Sequence, residues 1–375
     1  MRSALAALFL ATVLFAGEPS FRTHVIEADI PAGYQTLIVD LNADGKPDVI
    51  GLSGRGETLY WYENPSWTRH AIIGGQTQMI SVAAADLDGD KIPELALGTH
   101  FGQTEAQSEG RLYLLTHDGD PRGPWQAREI DRLPTTHRLR FADIDSDGVP
   151  ELIDSALTGP GAKAPLFEAK TPLVYLEPGE WKRRVIANDL SGVVHGMYEA
   201  DWNGPVILTA AMGGVVRFRL GKDGVWERRF LVRGDPRERP NDGASEIRLG
   251  KLGGERFLAT IEPWHGNQLV VYRHKGHGEW PRLVLDDTLE DGHAVVTADF
   301  DGDGNDEIVA GFRGEAADLL LFRYEDGAWK RSVLDDGGMA AAGCDTADLD
   351  GDADLDLVCI GARTANIKWY ENTAK

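Results

Sequence analysis

The chain has 375 residues, with 60 aspartates and glutamates against 38 lysines and arginines, for a formal net charge of −22. Such acidity repels polyphosphate and anionic bilayers, which excludes nucleic acid and negatively charged membrane surfaces as partners. A hydrophobic content of 42% is too high for a disordered acidic tail and indicates a packed core.

The chain opens with MRSALAALFLATVLFAGEPS: a basic Arg2, an apolar run from Ala4 to Phe15, and the small Ala16 before Gly17. This is the order of a secretory signal, with residues 1–16 removed and 17–375 forming a mature protein that is secreted or periplasmic. Leu14 is large for the −3 position, so an uncleaved anchor is the alternative; no later run is long enough to span a membrane.

From Val39 onward one pattern returns about every 50 residues. It is clearest in ADFDGDGNDEIVAGF from Ala298, strong from Val39, Ala85, Ala142 and Ala347, and eroded from Ala200 and Ile247. Counting the first aspartate as position 1, side-chain oxygens stand at 1, 3, 5 and 9, the oxygen-rich set that Ca2+ prefers. The strong copies supply Asp40, Asn42, Asp44 and Asp48; Asp86, Asp88, Asp90 and Glu94; Asp143, Asp145, Asp147 and Glu151; Asp299, Asp301, Asp303 and Glu307; and Asp348, Asp350, Asp352 and Asp356. An EF-hand is excluded, because position 12 is never the required glutamate and β-type runs follow the loop. A tight Asp/Gly hairpin without an ion is the competing reading, and the better one for the two eroded copies.

Each unit continues with an aromatic-rich strand, as in LYWYEN, LVYLEPG and IKWYEN, and then an aromatic-plus-basic segment beginning at Phe21, Trp67, Trp125, Trp181, Trp226, Trp280 or Trp329. Four short strands per repeat and seven repeats predict an all-β, seven-bladed β-propeller. The last repeat lacks its fourth segment, whereas FRTHVI near the start has no preceding blade, so the two ends are expected to complete one blade. Residues 101–109, 158–171 and 234–245, rich in Gly, Pro and charge, read as loops. Cys344 and Cys359 fall on neighbouring strands of one unit, as a disulfide or as two buried thiols.

Six residues before position 1 stand His137, His195 and His293. Regular antiparallel pairing sets that register opposite position 15, where His100, Glu262 and Arg313 stand, and His265 follows in IEPWHGN. These groups are expected to converge on the face opposite the acidic loops. Three imidazoles at one register suit Zn2+ or another divalent transition metal with an open position; Glu262, His265, Arg313 and His100 are the catalytic candidates for acid–base work. Each histidine alone reads first as a satisfied core or channel residue; three at one register are what point to a site. No hydrolase, zincin or nucleotide-binding pattern occurs.

The repeats resemble the FG-GAP/VCBS calcium-loop propellers, the group that includes integrin α heads. More narrowly, THRLRFADIDSDGVPEL (136–152), ATIEPWHGNQLVVYR (259–273) and DGHAVVTADFDGDGNDEIVAGFRG (291–314) resemble the propeller domain of the aldos-2-ulose dehydratases. That resemblance implies a metal-dependent site that dehydrates keto-sugars or 1,5-anhydrofructose, with Glu262 or His265 as base. Isomerisation in that family belongs to cupin domains that this sequence lacks. The rival expectation is a non-catalytic propeller that binds a small carbohydrate or a protein partner.

Overall fold

The computed structural model describes residues 19–274, 276 and 278–374; the expected signal segment, 1–16, lies outside them. Twenty-eight strands and one 3-10 turn, Glu105–Gln107, make up the described elements. The strands form seven four-stranded antiparallel sheets arranged as a seven-bladed propeller. The innermost strands are Gly33–Val39, Ser81–Ala85, Thr136–Ala142, Val194–Asp201, Glu246–Leu252, Gly292–Ala298 and Ala341–Ala347. Six sheets are continuous in sequence. In the seventh, Phe21–Glu27 lies on the outer edge, antiparallel to Ile367–Asn372, with Phe21 opposite Asn372.

The core lies between blades, where apolar residues of adjacent sheets interdigitate. Second strands such as Asp48–Ser53 and Glu307–Phe312 are buried along their whole length, as expected for a sheet covered on both faces. The repeated tryptophans are structural: Trp125 and Trp181 are buried, and Trp67, Trp226, Trp280 and Trp329 pack against apolar clusters between blades. Cys344 and Cys359 are direct cross-strand partners joined by a disulfide.

All inner strands run in the same direction, so their starts lie on one face and the acidic loops on the other. His137 and Asp143 bracket one such strand, about 20 Å apart at 3.3 Å per residue.

One buried carboxyl belongs to neither face. Asp154 is 0% exposed; its Oδ2 accepts a hydrogen bond from Thr136 at 2.6 Å, and its Oδ1 has no partner. Burial pushes its pKa up to about 7. The folded group therefore titrates above the unfolded one, so its contribution to stability is complete below about pH 4 and lost as the pH rises through about 7. Asp154→Asn should be nearly neutral below about pH 4 and increasingly stabilising up to pH 8, by on the order of 4 kcal/mol at most. Urea titrations at saturating calcium measure this, and a difference independent of pH would count against it.

Candidate active site

Regular pairing fails at the start of the inner strands. In the blades of His137, His195 and His293 the register skips the histidine itself: Thr136 pairs with Ala156 and Arg138 with Ser155, Val194 with Ala211 and Gly196 with Ala210, Gly292 with Phe312 and Ala294 with Gly311. Each histidine is the extra residue of a β-bulge, a device that re-aims one side chain. Tyr34 is the corresponding extra residue of the first blade.

The bulges bring the rings together. Centroids lie 4.7 Å apart for His137 and His195, and 4.8 Å apart for His195 and His293. His265 joins them at 4.7 Å from His195 and 5.2 Å from His293. It stands in the left-handed region, φ 50°, on a tight turn after Glu255–Glu262. The next residue is Gly266, where a Cβ would lie 2.1 Å from the Glu262 carbonyl oxygen, so the turn requires glycine.

Hydrogen bonds settle which nitrogens are free. His195 Nδ1 lies 2.8 Å from Glu246 Oε1 and 3.2 Å from the Ser245 hydroxyl; a proton on Nδ1, facing that carboxylate, leaves the Nε2 lone pair to accept from His265. His293 donates from Nδ1 to the Ala342 carbonyl at 2.5 Å, and its buried Nε2 has no partner. His265 Nε2 is 3.1 Å from His195 Nε2, while its Nδ1 faces Arg313 Nη2 at 3.1 Å and Asp291 Oδ1 at 3.4 Å. Burial, followed by the Arg138 charge, holds His137 and His195 well below their ordinary pKa. Burial and then Arg313 do the same for His293 and bring His265 to about 4. All four imidazoles are therefore neutral at pH 7, the form in which they coordinate metals.

The residues that can share one ion are His195, His265 and His293. This corrects the expected set of His137, His195 and His293. His137 Nε2 is engaged instead by the Tyr34 hydroxyl at 2.7 Å and Arg138 Nη1 at 3.2 Å. Arg138 continues to Tyr34 at 3.0 Å and Glu246 at 3.0 Å. Arg313 stands where expected, forked onto Asp291 at 2.9 and 3.0 Å.

Glu262 and His100 do not reach the cluster. Glu262 extends its strand by one more pair, to Gln268, so its side chain falls on the face of Thr260. There it accepts from Thr260, Tyr272 and Arg282 at 2.7 to 2.9 Å, in a buried ion pair. His100 turns back on the Thr99 hydroxyl, 2.9 Å from its Nδ1.

Two of the expected loops roof the site. Phe101, Ala162, Phe167 and Trp264 form an apolar cluster with Leu157, Val193 and Met212, and Phe101 packs 5.6 Å from the His137 ring. Beside this roof an open cleft of about 690 Å3 is lined by Tyr34, Asp291 and Arg313, with Arg55 and Arg363 on its rim. Cleft-side access comes through His265, whose side chain is 26% exposed. Sequence reasoning missed Tyr34, Arg138, Glu246 and Asp291. Tyr34 also stands six residues before an Asp at position 1, so the count that found the histidines reaches it.

On the far face, four acidic loops each gather three carboxylates within 4.8 Å: Asp86, Asp88 and Asp90; Asp143, Asp145 and Glu151; Asp299, Asp301 and Asp303; Asp348, Asp350 and Asp356. Position 9 is buried in all five strong copies and caps the position-2 amide, as Asp48 does for Leu41 and Glu307 for Phe300. In the first loop the Asn42 amide turns to Glu63 at 3.3 Å.

Comparison with known proteins follows this geometry. Residues 109–275, which hold His137, Arg138, His195, Glu246 and His265, match the family model of the aldos-2-ulose dehydratase β-propeller domain. Residues 40–97 and 299–359 match FG-GAP-like repeats. An aldos-2-ulose dehydratase of Phanerodontia chrysosporium is 24% identical over 351 residues, covering 79% of this chain and 38% of the relative. The chain thus spans well under half of that protein's length. It is a seven-bladed β-propeller with FG-GAP repeats, homologous to the propeller domain of aldos-2-ulose dehydratase.

Proposed function

We propose that the chain is an exported carbon–oxygen lyase that removes water from a keto-sugar or 1,5-anhydrofructose in the histidine-face cleft. The observation that carries this reading is the convergence of His195, His265 and His293 beside an open cleft, with the Nε2 atoms of His195 and His265 facing each other at 3.1 Å and the buried His293 Nε2 without a partner. The buried, unpartnered His293 Nε2 and the carboxylate behind His195 fit Zn2+ or a similar divalent ion. Such an ion would supply a Lewis acid for the substrate carbonyl.

The chain's own groups do the proton transfer. Tyr34 takes the proton beside the carbonyl while its own proton passes to His137 Nε2, 2.7 Å away. The pair then returns a proton to the β-hydroxyl, which departs as water. One C–H and one C–O bond break, one C=C bond forms, and no oxidant is needed. Arg313, whose Nε and Nη2 are engaged by Asp291 and His265, presents its remaining Nη1 to the substrate oxygens. In the same reading the five strong acidic loops hold Ca2+ as structural ions, and Phe21–Glu27 closes the ring.

The test is ultraviolet absorbance from the enone formed when 1,5-anhydrofructose or a 2- or 3-keto-glucoside loses water. Tyr34→Phe should lower kcat by about 10²- to 10³-fold with KM and metal content little changed, the range for loss of a proton-transfer group. If the wild type forms no enone but its melting temperature shifts with an oligosaccharide or a protein, the cleft is that of a binding propeller.

A further inference from the structure

The central channel, beneath the histidines, carries more positive charge than its own carboxylates neutralise. A cavity of about 140 Å3 there is lined by Arg138, Arg140 and Arg248 against only Glu246 and Asp345. Arg138 is paired with Glu246 at 3.0 Å. Arg140 and Arg248 are not paired: each donates to the carbonyl before it on its own strand, Leu139 at 2.7 Å and Ile247 at 2.8 Å. Among the described residues neither forms an ion pair. Arg248 otherwise lies over the Tyr198 ring at 4.9 Å.

Asp345 is close enough to influence both guanidiniums, but its carboxyl is held by the amides of Thr346 and Ile38. Glu199, outside the lining, is an exposed carboxylate near enough to Arg140 to influence it. A guanidinium cannot shed its proton to relieve the cost of burial. Burial and the neighbouring Arg248 and Arg138 charges pull the Arg140 pKa down to about 10.

We propose that Arg140 and Arg248 hold one monovalent inorganic anion of the size of chloride, bromide or nitrate on the channel axis. The charge of the lining matches a single negative charge, and a dianion would meet Glu246 and Asp345. With about 30 Å3 per water, the cavity takes such an ion and a few waters but not a sugar ring. Arg140 comes from the third blade and Arg248 from the fifth, so the anion ties two blades together across the axis. This site is independent of the dehydration reading.

The test uses full mature protein exchanged into sodium gluconate with calcium gluconate, titrated with sodium chloride or bromide at constant ionic strength. The melting temperature should rise saturably, because a ligand that binds only the native state stabilises by mass action. Arg248→Met should raise the half-saturating chloride concentration about tenfold, the loss of one charge-assisted contact. Crystals grown in bromide should show anomalous density between the two guanidiniums. A melting temperature indifferent to chloride, or a response unchanged in Arg248→Met, overturns the site. Should Arg248→Met not fold, the bromide density in the wild-type channel decides, and its absence is fatal to the proposal.

Discussion

Excess EDTA is expected to lower the melting temperature by roughly 20 °C. Each ion that binds only the folded loop adds about 2.7 kcal/mol at one hundred times its dissociation constant, and four or five loops act together. The electrostatics of the loops argue for a large loss. Burial and neighbouring carboxylates push Glu307 up to about 8 and Glu151 to about 7, so without a cation these positions hold carboxylates that resist ionisation. Asp301→Ala with Asp303→Ala removes two donors of one loop and should reproduce about a quarter of the shift. The double variant should also respond less to EDTA than the wild type. Differential scanning fluorimetry with calcium restored afterwards is the measurement, and an unchanged melting temperature in EDTA would leave the loops as ion-free hairpins.

The fold was legible because it repeats. Five acidic loops and two eroded copies at a common spacing, each followed by an aromatic strand, leave little but a propeller, and Phe21 lies opposite Asn372. The histidines were legible for the same reason, since Tyr34, His137, His195 and His293 hold one count from the loop. What the count could not carry was the bulge. Regular pairing treats position 15 as one environment, yet Arg313 follows the end of its strand and turns inward, Glu262 is one pair further into a strand and faces outward, and His100 bends back at φ 53°. The ends of second strands differ by single pairs, and one pair reverses a side chain. Arg138 and Glu246 were invisible for another reason. They meet across the channel from 108 residues apart, and neither position repeats in the other blades.

His293→Ala should abolish tightly bound transition metal and enone formation together, while leaving the EDTA-sensitive melting step within a few degrees of wild type. His293 offers a bare, buried Nε2 fixed by its bond to the Ala342 carbonyl, so no solvent-exposed residue replaces it. The histidine trio and the acidic loops lie on opposite faces, about 20 Å apart along an inner strand, which is why one kind of binding should be lost without the other. His137→Ala separates this trio from the expected one. It should retain the metal, because His137 Nε2 belongs to Tyr34 and Arg138, but lose turnover with the proton acceptor for Tyr34. Arg313→Lys should keep the metal as well and lower turnover about tenfold or more, since a point charge does not replace a fork held by Asp291. Metal content by mass spectrometry beside the enone assay reads all three variants. Loss of metal in His137→Ala with retention in His293→Ala would return the site to the register set and remove His265 from it.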